Sequence, residues 1–250
     1  MGPQIFGKVR HHDRDPLRME PPRVSRWLAA ILFPLHAVFM KRFFRIEVTG
    51  GHAILSSGPF ILAPTHRSRW DAFFLYTAVT NRLLYFMVSH DEVVGLQGWL
   101  MRRLGGFPIT VHRPNPSAIR TFREVIARGD GLVIFPEGNL FYYDPGEVHP
   151  LRPGAAWLAL QFQKSCPDVD LPIIPVRLVY GDRLLRAKSR VKVQLGEPIS
   201  ARDYAGLPAR EATSALTSAL QEALGETVKE TSSADSLRQA IADRSLGSKI

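Results

Sequence analysis

The chain has 250 residues, of which 45% are hydrophobic and 22% charged, and its net charge is +9. These values exclude a disordered chain, and no run of about eighteen uninterrupted apolar residues is present, which excludes a polytopic membrane protein. The chain has a single cysteine, Cys166, and no recognisable signal peptide, so we expect it to work in the reducing cytosol.

The positive charge is concentrated at the N-terminus, where residues 1–45 contain nine Lys or Arg and three acidic residues. An apolar stretch from Trp27 to Met40 lies in this basic region and includes Pro34. As a helix it would be roughly 21 Å long, shorter than a bilayer core of about 30 Å. We favour a helix lying on an anionic membrane surface. A core helix with a basic exposed side and a membrane-spanning helix both stay open.

Short apolar runs alternate with longer helical patterns in the rest of the chain, which indicates an α/β fold. We expect a mixed, mostly parallel central sheet flanked by helices. Predicted strands are Phe60–Ala63, Leu84–Val88, Leu132–Phe135, Ile173–Leu178 and Val191–Leu195; predicted helices are Trp70–Val79, Val93–Leu104, Ser117–Arg128, Gly154–Lys164 and Ala209–Lys229. The resulting domains are a membrane-associating segment (1–45), a catalytic domain (46–229) and a flexible tail (230–250).

His66 precedes one of these helices, and Asp71 follows it by five residues. Five helical steps turn roughly 140° around the axis, so the two residues cannot share a helical face and His66 belongs to the preceding loop. With Ser68 as the N-cap residue, the Asp71 carboxylate can fold back toward the imidazole. A His oriented by Asp is a general base for a hydroxyl. A capping box beside an unrelated His is the alternative.

Three further blocks follow in order along the chain. Gly106 and Phe107 begin a short strand that leads to Arg113; Phe135-Pro136-Glu137-Gly138 ends a buried strand; and Pro172 and Pro175 interrupt an apolar strand. With the His-x4-Asp block, this order resembles the glycerolipid acyltransferase family, which includes lysophosphatidic acid and glycerol-3-phosphate acyltransferases. The resemblance covers about residues 45 to 200.

The resemblance implies direct acyl transfer from a thioester, acyl-CoA or acyl carrier protein, without a covalent enzyme intermediate, metal or cofactor. His66 would accept the proton of the acceptor hydroxyl, and Asp71 would orient the imidazole. Arg113 would bind the acceptor phosphate, and Glu137 with Gly138 its polar head. Gly106 and Phe107 belong to an acceptor-binding block, and Pro175 would shape the wall of an acyl channel.

One departure from the family pattern affects the expected acceptor. Asn139-Leu140-Phe141 stands where the family has Thr-Arg-Ser, although a cation is retained downstream at Arg152. The preferred acceptor is 1-acylglycerol-3-phosphate, giving phosphatidic acid. Glycerol-3-phosphate, another lysophospholipid and a lyso-glycolipid stay open, as does a catalytically silent lipid-binding protein.

We expect the protein to bind the cytoplasmic face of a membrane. Binding to nucleic acid would explain the positive charge but neither the apolar N-terminal stretch nor the four blocks, so a nucleic-acid partner is not expected.

Overall fold

The computed structural model describes residues 24–50, 58–79, 82–89, 95–109, 116–141, 148–182 and 185–226. In chain order its elements are α1 (Arg26–Phe43), β1 (Arg45–Thr49), β2 (Phe60–Pro64), α2 (Asp71–Ala78), β3 (Leu84–Ser89), α3 (Gly95–Arg103), β4 (Gly106–Ile109), α4 (Pro116–Ala127), β5 (Gly131–Val133), α5 (Gly154–Ser165), β6 (Pro172–Tyr180), β7 (Arg190–Leu195), β8 (Ile199–Ser200) and α6 (209–226). The predicted tail, 230–250, lies outside the described residues, as do positions 1–23 of the predicted N-terminal segment.

The strands form one mixed sheet in the order β1-β7-β6-β2-β5-β3-β4, with β8 paired to β6. Strands β6, β2, β5, β3 and β4 are parallel to one another. β7 is antiparallel to β6, and β1 is parallel to β7. The predicted fold class, a mixed and mostly parallel sheet flanked by helices, is therefore confirmed.

Hydrophobic clusters cover both faces of the sheet. On one face, α4, α5 and α6 pack against residues such as Ile61 and Leu132. On the other, α2 and the C-terminal part of α1 pack against residues such as Leu62 and Val193. Strand β2, between these layers, is completely buried, as expected for a central parallel strand.

Helix α1 contributes to this core and also exposes a large apolar surface. Met40 is fully buried, whereas Trp27 and Val38 are 68% and 69% exposed. The helix begins at Arg26 and continues through Pro34 to Phe43, so it extends beyond both ends of the predicted stretch. Among the described residues, no helix combines the length and apolar character that crossing a membrane would require.

Two element boundaries differ from the predictions in an informative way. Ser68, the predicted N-cap residue, does not cap α2. The helix begins at Asp71, and its N-cap residue is Trp70. One capping-box hydrogen bond nevertheless forms, since Asp71 Oδ2 accepts from the Ser68 N–H, while the Ser68 hydroxyl accepts from the Trp70 N–H instead of that of Asp71. The short edge strand β1 was not predicted, because Arg45–Thr49 places no residue in a fully buried position.

Candidate active site

Three neighbouring parallel strands end at the same edge of the sheet, and their ends carry the candidate catalytic residues. β2 leads into the loop with His66, and β5 leads into the turn with Glu137. β6 pairs with β2 as far as Val176 and continues for four residues to Tyr180, beside the His66 loop. The carboxyl edge of parallel strands is where α/β folds commonly place their ligands.

His66 and Asp71 are in direct contact, as their spacing predicted. His66 Nδ1 lies 2.7 Å from Asp71 Oδ2. The same oxygen accepts hydrogen bonds from the backbone N–H groups of Arg67 at 2.7 Å and Ser68 at 3.0 Å. Asp71 is completely buried, whereas 23% of the His66 side chain is exposed. The other imidazole nitrogen, Nε2, can therefore receive a proton from a bound hydroxyl.

The imidazole is also held from its face and through its backbone. The ring of Phe135 stacks on it, with centroids 4.0 Å apart and planes inclined by 26°. The His66 carbonyl accepts from the Phe141 N–H at 2.9 Å. These contacts restrict the ring before any substrate binds.

The second oxygen of Asp71 has a partner that sequence reasoning missed. Asp71 Oδ1 accepts a hydrogen bond from the hydroxyl of Tyr180, at the end of β6. Burial and the adjacent Asp71 charge raise the pKa of Tyr180 well above its ordinary value, so this hydroxyl remains a donor. Because Tyr180 is 109 residues from Asp71 in the chain, no local pattern pointed to it.

Glu137 is buried and bound by four protein donors. Its carboxylate accepts from Arg67 Nη1 at 2.6 Å and Nη2 at 3.0 Å. It also accepts from the backbone N–H groups of His66 at 3.0 Å and His149 at 3.2 Å. The carboxylate thus joins the β2 and β5 loops and the segment that begins at residue 148.

Nearby, burial and the charge of Arg67 lower the pKa of Arg177.

The exposed Arg152 lies against the half-buried Gly138 at this turn. Gly138 has φ of +69°, and a Cβ atom there would lie 2.4 Å from Arg152 Cδ and Nε. The Arg152 N–H donates to the Pro136 carbonyl at 2.8 Å. Beside the turn, the rings of Phe141 and His149 stack with centroids 3.7 Å apart.

The other predicted site residues lie farther into the fold or outside its description. Gly106 and Phe107 form the start of β4, and the Phe107 side chain is buried in the core. Pro175 lies in β6 and is in register with Ala63 of the neighbouring central strand, β2. Arg113 lies outside the described residues.

A family model described as Acyltransferase matches residues 45–179, which include all of this cluster except Tyr180. The chain belongs to the acyltransferase family. It is 28% identical over 176 residues to the 1-acyl-sn-glycerol-3-phosphate acyltransferase of Bacillus subtilis, a match that covers 69% of this chain and 82% of the relative. It is also 28% identical over 149 residues to the Streptococcus pneumoniae protein of the same name, covering 58% of this chain and 51% of that relative.

A solved structure shares the fold of this acyltransferase. The chain superposes on the 1-acyl-sn-glycerophosphate acyltransferase PlsC of Thermotoga maritima with a TM-score of 0.59 and 20% identity, covering 83% of both chains. The family assignment agrees with the resemblance inferred from the four sequence blocks. The structure adds Tyr180 and Arg67 to the residues of the candidate active site.

Proposed function

We propose that this acyltransferase moves a fatty acyl group from a thioester to the free hydroxyl of 1-acylglycerol-3-phosphate, giving phosphatidic acid. The observation that carries the proposal is the contact of His66 Nδ1 with a buried Asp71 at the carboxyl edge of the sheet. The names of both curated relatives support this choice of acceptor.

His66 acts as the general base in this mechanism, and Asp71 orients it. Nε2 removes the hydroxyl proton while the acceptor oxygen attacks the thioester carbonyl carbon, forming the new C–O bond. Asp71 stabilises the imidazolium that results. When the tetrahedral intermediate collapses, the C–S bond breaks and the leaving thiolate takes the proton from the imidazolium. Protons and electrons balance without a metal or a redox cofactor.

The acceptor head binds beside the Glu137 turn in this proposal. Arg152 lies against Gly138 with its side chain exposed, and a guanidinium suits a phosphate because it offers two parallel N–H donors. Arg113 is the second proposed phosphate ligand. Since Glu137 is buried and already bound by Arg67 and two backbone N–H groups, its part is to shape the head site rather than to contact the phosphate.

A second class of acceptor follows from the aromatic pair at this turn. Phe141 belongs to the stretch Asn139-Leu140-Phe141, which stands where the family pattern has Thr-Arg-Ser; it donates its N–H to the His66 carbonyl and stacks on His149. An apolar surface there favours a larger or less charged head, such as that of another lysophospholipid or a lyso-glycolipid. Glycerol-3-phosphate stays a further candidate.

The catalytic domain, residues 46–229, works at a membrane surface in this proposal, with residues 1–45 as its attachment. Exposed apolar side chains lie both on α1 and at the start of α2, where Phe43, Trp70 and Phe73 are 40%, 41% and 45% exposed. The two helices meet there, since the ring centroids of His36 in α1 and Phe73 in α2 are 5.5 Å apart. Helix α2 begins at Asp71, so this surface reaches the candidate catalytic pair. The donor, acyl-CoA or acyl carrier protein, would approach from the cytoplasmic side.

Activity is tested with purified protein in mixed micelles, using acyl-CoA or acyl carrier protein thioesters with each candidate acceptor. We expect thiol release matched by acylated product, lost in His66→Ala and Asp71→Asn. His52→Ala is a matched control, since it removes a histidine that belongs to neither the His-x4-Asp block nor the proposed attachment segment. Turnover by His66→Ala at the wild-type rate would refute the general base, and preference for another acceptor would refute phosphatidic acid as product.

Attachment by α1 is tested with Ile31→Asp and Val38→Asp, which change side chains that are 54% and 69% exposed. Deleting the whole segment is a poorer test, because it removes Met40 and Phe44 from the core. We expect both substitutions to weaken vesicle binding without lowering the melting temperature. Unchanged binding would refute α1 as a membrane contact.

A further inference from the structure

Helix α3 turns its apolar side chains toward solvent. Leu96, Trp99 and Leu100 are 81%, 51% and 39% exposed, and only Gly98 of this helix is buried. Their spacing of three and four residues places them on one face. An amphipathic helix of a soluble domain normally buries that face, so α3 needs an apolar partner outside the described fold.

The exposed face of α3 lies close to the beginning of α1. The Ser25 N–H donates to the Arg103 carbonyl at 3.1 Å, joining the start of α1 to the end of α3. Trp27 and Trp99 are each within about one helical turn of this hydrogen bond, and both indoles are more than half exposed. Exposed indoles are typical of the interface between lipid and water.

The charges of these two helices indicate the partner's chemistry. Neither helix contains Asp or Glu, whereas Arg26, Lys41 and Arg42 belong to α1 and Arg102 and Arg103 to α3. The Arg103 guanidinium lies 5.3 Å from the Trp99 ring centroid. Basic groups beside exposed aromatic rings complement an anionic headgroup layer over an apolar interior.

We propose that α3 and the first turn of α1 form a second lipid-contacting surface, which binds an anionic membrane leaflet. This α1–α3 surface consists of Trp27, Leu96, Trp99, Leu100, Arg102 and Arg103. The proposal rests on the proposed membrane location. The α1–α3 surface lies beside strand β4, at one edge of the sheet. It is therefore distinct from the surface of α2, which begins at the candidate catalytic pair. With this surface at the beginning of α1 and the α2 contact near its end, lipid contacts at both ends of α1 fix the tilt of the domain relative to the leaflet.

The test compares wild type with the double variant Leu96→Asp and Trp99→Asp in co-sedimentation with vesicles. Vesicles of phosphatidylcholine alone and of phosphatidylcholine with phosphatidylglycerol separate the apolar contribution from the electrostatic one. Leu207→Asp is the matched control, because Leu207 is 39% exposed, like Leu100, but precedes α6 on another part of the molecule. Activity on short-chain, water-soluble substrates without vesicles tests the chemistry independently.

We expect the α3 double variant to bind anionic vesicles at least about tenfold more weakly, since two apolar side chains no longer enter the lipid. Leu207→Asp should bind like wild type, and soluble turnover should be equal in all three proteins. Binding of the double variant within twofold of wild type would overturn the proposal. So would a wild-type dimer that the double variant converts to monomer, since the surface would then bind a second copy. Absent turnover in wild type would refute the proposed function alone.

A second inference concerns Tyr180, and it rests on the proposed role of His66. The three donors on Asp71 Oδ2 come from the His66 loop itself, whereas the donor on Oδ1 comes from a different strand. Because Tyr180 is anchored in β6, its hydroxyl fixes the rotation of the carboxylate relative to the sheet. We infer that Tyr180 is a positioning residue, which holds Asp71 in the plane that aligns the imidazole.

Tyr180→Phe tests this role, with Tyr76→Phe as matched control. The Tyr76 hydroxyl also makes buried hydrogen bonds, to the Leu84 and Leu104 carbonyls, but lies away from the site. We expect Tyr180→Phe to lower kcat about tenfold with KM within twofold, the loss expected for one hydrogen bond to a charged group. The acid limb of its pH–rate profile should move to higher pH, because a carboxylate with fewer donors stabilises the imidazolium more strongly. An unchanged kcat and profile, or an equal loss in Tyr76→Phe, would overturn the inference.

Discussion

The buried ion pair between Arg67 and Glu137 gives the sharpest energetic prediction. Their side chains are 5% and 0% exposed, and two guanidinium nitrogens contact the carboxylate. Removing one partner of such a pair leaves an uncompensated buried charge and costs about 3–5 kcal/mol. We therefore expect Arg67→Met and Glu137→Gln each to lower the free energy of unfolding by about that amount.

The double variant Arg67→Met/Glu137→Gln should lose less free energy of unfolding than the two single variants lose together. With both charges gone, the remaining cost comes from the backbone N–H groups of His66 and His149, which donate to the two carboxylate oxygens of Glu137. After Glu137→Gln, these two donors must share the single side-chain oxygen of the amide. An unsatisfied donor costs about 1–3 kcal/mol. The coupling energy of the double-mutant cycle is then at least about 3 kcal/mol.

Urea unfolding of the four proteins, followed by circular dichroism, measures this coupling. The pair Arg128 and Glu124 is the matched control, with side chains 57% and 43% exposed and 3.6 Å apart. Its coupling should be only about 0.5 kcal/mol. A single change at Arg67 or Glu137 that costs less than about 1 kcal/mol, or strict additivity in the double variant, would refute the reasoning.

Three further predictions concern the surroundings of the site. Gly138→Ala should lower the melting temperature and raise the KM for the acceptor, because φ is +69° and the new Cβ would displace Arg152; unchanged kinetics would exclude Arg152 as a ligand. Gln221→Leu should cost about 2 kcal/mol in urea unfolding, because its side chain bonds three backbone groups of residues 148–151; a stability equal to wild type would contradict this. Burial lowers the pKa of His36, so this imidazole binds a proton more readily in the unfolded state than in the folded one. Stability should therefore fall as the pH drops below about 6.5. Thermal melts of wild type and His36→Phe at several pH values check whether the substitution removes this dependence.

Local sequence pattern was sufficient for the central elements of the fold. The helix predicted from Ser117 to Arg128 has its apolar face buried, and Gly129 follows it with φ of +76°. The predicted strand at Phe60 is β2, whose residues are all buried. In these segments a single factor, apolar periodicity or an unbroken apolar run, decides the structure. Strand β1 carries no such signal, because it is a short edge strand and half-exposed.

The parts of the site that could not be predicted depend on contacts between distant segments. The spacing of His66 and Asp71 predicted their contact, since both belong to one strand-to-helix junction. Arg67 also lies in that junction, but its partner Glu137 is 70 residues away and becomes a neighbour only because β2 and β5 pair. Tyr180 reaches Asp71 because β6 continues past the end of β2. Strand order and strand length, which no short motif encodes, therefore decide which side chains support the candidate catalytic pair.

The same reasoning explains why a family motif alone is a poor guide to the role of Glu137. In sequence, a carboxylate at the end of a buried strand looks like a group that is presented to substrate. In the structure, its oxygens accept from Arg67, His66 and His149, so its negative charge is already compensated within the protein. A carboxylate in this position would repel a phosphate if it were unpaired. Pairing it with Arg67 compensates that charge, and the exposed Arg152 beside Gly138 then adds a positive charge at this turn, which would favour an anionic acceptor.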